Sequence, residues 1–503
     1  MLRTISLILV SAVLLVISYP QLELWLLAWV ALVPLLFAVD QQSKRKAFGL
    51  GFLFGFLFFF GTLGWLVYVT YPGTFLLCAY LALYPALFAF GFVYFKKLPL
   101  IPRSFVLASL WTVLEFIRAN LFTGFGWVVL GYCQYKNLWM IQITDMIGVY
   151  GISFLVILVN LGVFETFKNF LNKNKEELNQ LRRLQAITFV ILIVCLLYGL
   201  WTFQTSRFPS MVKVAVVQPN IPQKIKWDEA HLPFIVERTL DLTDQAASFQ
   251  PDIILWPETS LPGILSEHPS YLQRIQLKAM DLHTPIVMGS ILQEKEHYYN
   301  SALLIGDDGK IKGHHNKIHL VPFGEYLPLR PLLGWINHYI GLEDFTSGTQ
   351  YTIFTIGQHP KKFGVLICFE DTLSELARNF TNAGAEFLVN MTNDAWFMDT
   401  KEPFLHLAQS VFQSVQNRRS LVRAANTGVS GFIDPMGRII ALAQDESGKK
   451  TFVAAVAARE VPINNQLSFY TKYADIFTYG CFFCILWGIV KTRRKYGKEN
   501  SIS

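Results

Sequence analysis

Two patterns of apolar and polar positions divide the chain. Up to residue 204, long apolar runs follow one another, separated by short polar loops. They lie at Ile5–Tyr19, Leu22–Val39, Phe48–Val69, Thr74–Phe95, Phe105–Phe122, Ile147–Phe167 and Ala186–Phe203, and a further run, Tyr473–Val490, closes the chain. A bilayer-crossing helix needs ~20 apolar residues, so the pattern predicts about eight transmembrane helices, seven before residue 204 and one after 473. Arg3 ahead of the first run resembles the start of a signal peptide, but no small-residue cleavage site follows, so an uncleaved helix is predicted.

Between the seventh and eighth runs the periodicity changes. Strands are predicted at Val212–Gln218, Ile253–Trp256, Pro285–Ile291, Tyr299–Ile305, Phe363–Cys368 and Phe387–Met391. Helices are predicted at Leu232–Phe249, Tyr271–Leu282 and Leu405–Ala425, and hairpin strands around Gly431–Ile440 and Phe452–Val456. Strands alternating with helices indicate a layered α/β domain. The expected organisation is a membrane domain at 1–204, an α/β domain at 205–472, and a last helix with a basic tail at 473–503.

Composition and charge refine this picture. Hydrophobic residues make up 52% of the chain and charged residues only 16%, a membrane-protein balance. The net charge of +7 does not point to nucleic acid, because the basic residues sit in short loops and form no patch interleaved with aromatics. They follow the second, fourth, sixth and eighth runs, as in Lys44–Lys46, Lys96, Lys97, Arg182, Arg183, Arg493 and Arg494. The excess of cytoplasmic Lys and Arg in membrane proteins then puts both termini in the cytoplasm and about Thr205–Lys472 outside it. Glu115 and Arg118, three apart on one predicted helix, can pair, either as an intramembrane functional site or as a structural pair near the interface that orients the fifth run. The Gly- and aromatic-rich stretch Phe122–Tyr132 is expected to be interfacial or re-entrant. Cys481 and Cys484 form a CxxC inside the last run, where packing is the expected role.

Of six cysteines, only Cys368 lies in the polar part of the chain. It ends an apolar strand, and a helix is expected to open at Glu370–Asp371, so the helix N-terminus would favour a thiolate. A lone cysteine on a strand is more often structural. Three other positions change that balance: Glu258 at the end of a strand in WPETSLP, and Lys317 and Glu325 in HHNKIHLVPFGEYLP. Singly, each fits a surface role. Together they fit acyl transfer, which needs a nucleophile, a base to take its proton, and a cation where the oxyanion forms. His314, His315 and His319 match no zinc spacing, and no metal or other cofactor is expected.

WPE at Trp256–Glu258, the Lys317 loop and CFE at Cys368–Glu370 resemble the nitrilase superfamily with its Glu–Lys–Cys triad. QPNIPQKIKW at Gln218–Trp227, HLVPFGEYLP at His319–Pro328, NDAWF at Asn393–Phe397 and RAANTGVSG at Arg423–Gly431 narrow the resemblance to the apolipoprotein N-acyltransferases, its membrane-embedded members. The resemblance implies an αββα sandwich, with Glu258 as general base, Lys317 as oxyanion stabiliser and Cys368 as nucleophile. It also implies supporting or substrate-binding roles for Trp227, Asn300, Glu325, Phe369 and Glu370. The family often has Tyr where this chain has Phe369, so a role needing that hydroxyl is not carried over. The implied reaction is ping-pong transfer of an acyl chain from a membrane phospholipid, through a Cys368 thioester, to the α-amine of a diacylglyceryl-modified apolipoprotein. The implied setting is the bacterial inner membrane, with the catalytic domain periplasmic. Trp335–Phe345 is a candidate lid. Two other classes fit parts of the sequence: a membrane-tethered amidase or nitrile hydrolase with water as acceptor, and a transporter with an external binding domain. The apolar runs lack the Gly/Pro-broken pairs expected of a transporter.

Overall fold

The computed structural model of the chain describes residues 2–20, 22–172, 175–336 and 344–500. It falls into two compact units, Met1–Ser206 with Tyr473–Ser503, and Arg207–Lys472.

In the first unit, six helices among the described residues are long and apolar enough to cross a membrane. They are Lys44–Tyr68, Tyr71–Lys97, Leu100–Asn120, Thr144–Leu171, Leu178–Thr205 and Ile476–Lys495. The first two predicted spans differ from expectation. Leu2–Ile17 has 16 residues, or ~24 Å at a 1.5 Å rise, short of the ~30 Å hydrocarbon core. The expected span Leu22–Val39 is broken into a 3₁₀ turn, Trp25–Trp29, and a short helix, Val33–Val39. Glycines let two of the long helices approach closely. A Cβ on Gly51 would meet Pro85 O at 2.7 Å, and one on Gly55 would meet Ala82 Cα at 2.9 Å, a small-residue contact typical of membrane helices. Glu115 and Arg118 are both buried, but each binds the Phe122–Tyr132 stretch. Arg118 Nη1 donates to Phe125 O and Trp127 O, and Glu115 Oε1 accepts from Leu130 N. The two charges thus satisfy irregular backbone that the apolar surroundings cannot. Cys481 and Cys484 are both free thiols.

Among the described residues, the second unit contains twelve strands. They are β1 (Ser210–Gln218), β2 (Ile253–Leu255), β3 (Ile286–Glu294), β4 (His297–Ile305), β5 (Ile311–Asn316), β6 (Phe354–Ile356), β7 (Lys361–Ile367), β8 (Phe387–Thr392), β9 (Ser420–Ala425), β10 (Gly431–Ile433), β11 (Ile439–Leu442) and β12 (Ala455–Ile463). They form two six-stranded sheets, ordered β12-β1-β2-β3-β4-β5 and β11-β10-β9-β8-β7-β6. Successive strand side chains point to opposite faces. Val212, Val214 and Val216 therefore face the second sheet's Val365, Ile367 and Val389, whereas Ala215 and Val217 face the helix Leu232–Ala247. Both faces of β1 are covered, which is why it is almost continuously apolar. With the helices Ser374–Asn382 and Glu402–Asn417 against the second sheet, the layers are α–β–β–α.

The expected helix Leu405–Ala425 takes in a strand. The helix ends at Asn417, where Arg418 adopts φ +52 and starts a new direction into β9. Helices often stop at a left-handed residue that is glycine; an arginine there leaves no signal. Strands β5, β6 and β9 were not anticipated. Residues 337–343 of the suggested lid Trp335–Phe345 lie outside the described residues.

Candidate active site

The candidate residues collect at strand ends in the second unit. Glu258 follows β2, Asn300 lies in β4, Lys317 is the first residue after β5, and Cys368 follows β7. Cys368 has φ +57, a left-handed conformation costing a side-chain-bearing residue ~1–2 kcal/mol. The expected helix opening at Glu370–Asp371 is instead a 3₁₀ turn, Cys368–Thr372, and the α-helix begins only at Ser374.

The turn is fixed from three sides. Glu370, fully buried, accepts from Ile367 N at 2.7 Å with one oxygen, and from Ile318 N at 2.8 Å and His319 N at 2.9 Å with the other. One carboxylate thus ties the Cys368 strand to the Lys317 loop. Asp371 accepts from Arg423 Nη1 at 2.8 Å, and also pairs with His406 and Ser410. Asn390 Nδ2 donates to the Cys368 carbonyl at 2.7 Å. Strain at a site persists where its surroundings over-determine it, and three side chains do so here.

Lys317 lies between two carboxylates. Its Nζ is 2.8 Å from Glu325 Oε1 and 3.4 Å from Glu258 Oε1. Asn300 Nδ2 donates to the same two oxygens, at 2.7 Å to Glu258 and 2.9 Å to Glu325. The second oxygen of Glu325 accepts from Val321 N at 2.8 Å. Phe369 stands with its ring 5.6 Å from Lys317 Nζ and edge-on to His319, so an aromatic packing role needs no hydroxyl.

Burial opposes the charge on Lys317, but Glu325, Glu258 and Cys368 outweigh it and raise the lysine pKa. Cys368 is partly accessible. Its dense surroundings, with Glu258 next in weight, nevertheless hold its thiol well above its usual range, and Lys317 only partly offsets this. This direction runs against the thiolate anticipated from a helix N-terminus. Burial raises Glu370 to about 7, despite its three backbone donors.

Other expectations have different outcomes. Trp227 is about half-exposed, at 47%. His315 is fully buried against Phe380, and burial, with His314 adding, drops its pKa to about 3. One buried carboxylate–imidazole group of metal-like spacing does occur among the described residues, Asp394, Glu402 and His406. Burial and Arg423 oppose a charge on His406, but Asp371 and Asp394 raise its pKa to about 9.

Sequence reasoning missed Lys226. It is 2% exposed, and its Nζ donates to the Glu258 main-chain carbonyl at 3.0 Å. Its neighbour Lys224 looks equivalent in the sequence; the only cue was the adjacent Trp227.

Two family profiles match, described as "Apolipoprotein N-acyltransferase N-terminal domain" over residues 11–162 and "Carbon-nitrogen hydrolase" over 213–462. The apolipoprotein N-acyltransferase of Geobacter metallireducens is 37% identical, with 94% of this chain and 92% of that protein covered. That of Haemophilus ducreyi is 30% identical, covering 96% and 95%. Among solved structures, Saccharomyces cerevisiae Nit3 of the nitrilase superfamily is similar over 51% of this chain and 92% of its own, at 18% identity and a TM-score of 0.38. With relatives that match nearly end to end, and matching profiles on both sides of residue 206, this chain belongs to the apolipoprotein N-acyltransferase family.

Proposed function

We propose that the protein transfers an acyl chain from a membrane phospholipid to the α-amine of a diacylglyceryl-modified apolipoprotein cysteine, through a thioester on Cys368. The observation that carries this reading is the shared placement of Lys317 and Asn300 against two carboxylates, beside a strained cysteine turn. Glu258 takes the thiol proton as Cys368 attacks the ester carbonyl. Lys317 stabilises the oxyanion, while Glu325 and Asn300 hold the ammonium and Glu258 in register. The ester C–O bond breaks, lysophospholipid leaves with the proton from Glu258, and the thioester remains. The amine then attacks the thioester and passes a proton to Glu258, the C–S bond breaks to give the amide, and the departing Cys368 sulfur takes that proton back from Glu258. Half-exposed Trp227 fits contact with substrate. The long helices favour lipid-borne partners over water-soluble amides. Five of them precede the α/β unit and one follows, an even total consistent with both termini on one side and the catalytic unit, periplasmic in this reading, on the other.

The test is intact mass of purified protein incubated with phospholipid alone. One fatty acyl adduct should form, be removed by neutral hydroxylamine, and be absent in Cys368→Ala. Transfer that requires both lipids at once, with no adduct, would refute the thioester route.

A further inference from the structure

We propose that Lys226 is a positioning residue of this site, its buried ammonium holding the Glu258 turn through the main-chain carbonyl and placing a second positive charge beside Glu258 and Cys368. The inference rests on the reading of Glu258 as base and Cys368 as nucleophile.

Three observations converge on that turn. Thr259, directly after Glu258, has φ +44, so the chain bends sharply at the base. Gly289 on β3 presses against the bend; a Cβ there would meet Thr259 N at 2.4 Å and Pro257 O at 2.7 Å. The only hydrogen bond of Lys226 among the described residues is the one to Glu258 O, at 3.0 Å. A strained turn springs back unless it is held, and Lys226 is the one charged side chain bonded to its main chain.

The segment carrying Lys226 is itself anchored. Asn426 Oδ1 accepts from Ile221 N and its Nδ2 donates to Ile221 O, while Asn393 Nδ2 donates to Gln223 Oε1. Lys226 therefore bridges a fixed segment to the base, next to half-exposed Trp227. A buried lysine normally sheds its charge. Here burial lowers its pKa to about 8, with Glu258 and Cys368, the charged or titratable groups facing it, holding it from falling further. Near neutral pH the ammonium persists. When Cys368 passes its proton to Glu258, that charge acts on the developing thiolate.

The full-length protein in phospholipid vesicles provides the test, with single-turnover acyl loading followed by intact mass against pH and phospholipid concentration. Wild type should load, with a rate that falls on an alkaline limb near pH 8. Lys226→Met should load about 10–10²-fold more slowly, the scale of a misplaced catalytic group, with half-saturation changed by less than about twofold and no limb near pH 8. Lys226→Gln, which keeps an uncharged donor one bond shorter, should recover part of the rate and still lack the limb. A wild-type rate in Lys226→Met, or a limb near pH 8 retained in either variant, overturns the proposal. If Lys226→Met does not accumulate folded, Lys226→Gln alone decides through the limb. Failure of the underlying reading looks different, because wild type itself would then take up no acyl group.

Discussion

Replacing Glu325 by glutamine keeps the shape of the side chain and removes one charge. All three partners of its two oxygens are donors: Lys317 Nζ at 2.8 Å, Asn300 Nδ2 at 2.9 Å and Val321 N at 2.8 Å. An amide places an NH₂ where one of those oxygens was, so at least one donor faces a donor whichever way it turns. At 2.8 Å and an effective dielectric near 20, the lost attraction to Lys317 is about 6 kcal/mol before desolvation. Breaking one partner of a buried pair costs about 3–5 kcal/mol in measured cases, and some of this returns as Lys317 moves from 3.4 Å to closer contact with Glu258. On the proposed mechanism that movement slows the reaction, because it ties Glu258, the base, to Lys317, the oxyanion donor. If about 3–4 kcal/mol of the loss falls on the transition state, loading of Cys368 slows by roughly 10²–10³-fold. The assay is the same single-turnover loading, read as rate against phospholipid concentration, with thermal unfolding in parallel. Half-saturation should stay near wild type, since Glu325 is placed away from the acyl chain in this mechanism. A loading rate within about threefold of wild type, in protein that remains folded, would return Glu325 to an ordinary loop acid.

Orientation is open to direct labelling. A membrane-impermeant thiol reagent applied to spheroplasts should reach a cysteine introduced at Gln293 and not one at Lys44, and the reverse would place the catalytic unit in the cytoplasm. His315 offers a pH test. Its pKa of about 3 in the fold, against an ordinary ~6.5, means that below pH 6.5 the unfolded chain binds a proton the fold refuses. Its contribution is fully present above pH 6.5 and is lost toward pH 3, at up to ~1.4 kcal/mol per pH unit. Thermal unfolding of His315→Leu should therefore weaken less than wild type between pH 6.5 and 4.5; an identical decline would show that His315 is not the group responsible.

How much of this was legible follows physical lines. Strands β2, β7 and β8 are buried on both faces, so each is a short apolar run that shows plainly, and Glu258 and Cys368 could be placed at their ends. Strand β9 could not be, because SLVRAA follows an amphipathic helix with no glycine to mark the stop, and Arg418 takes the left-handed position itself. Strand β5, IKGHHN, alternates burial only in part, and its histidines look like loop residues. In the membrane unit, length was judged from hydropathy alone, and hydropathy does not register the break between Trp29 and Val33 that splits the second predicted span.

The same limit applies to the state of the cysteine. Sequence spacing suggested a helix N-terminus and hence a thiolate, but the decisive quantities are burial and the neighbouring carboxylates, which exist only after folding. Charge balance then gives the site its logic. Glu258 and Glu325 face Lys317 and Lys226, two carboxylates against two ammoniums, beside a neutral thiol. On the proposed mechanism, moving the proton from Cys368 to Glu258 turns one anion into another within the same enclosure, so the net charge the protein must bury does not change. A resting thiolate would add an unmatched anion there, which low-dielectric surroundings penalise. On that mechanism the raised thiol is the condition under which four buried charges and Cys368 can share one site, and Glu258 as base has to lie within the enclosure, where the turn bonded by Lys226 and pressed by Gly289 puts it.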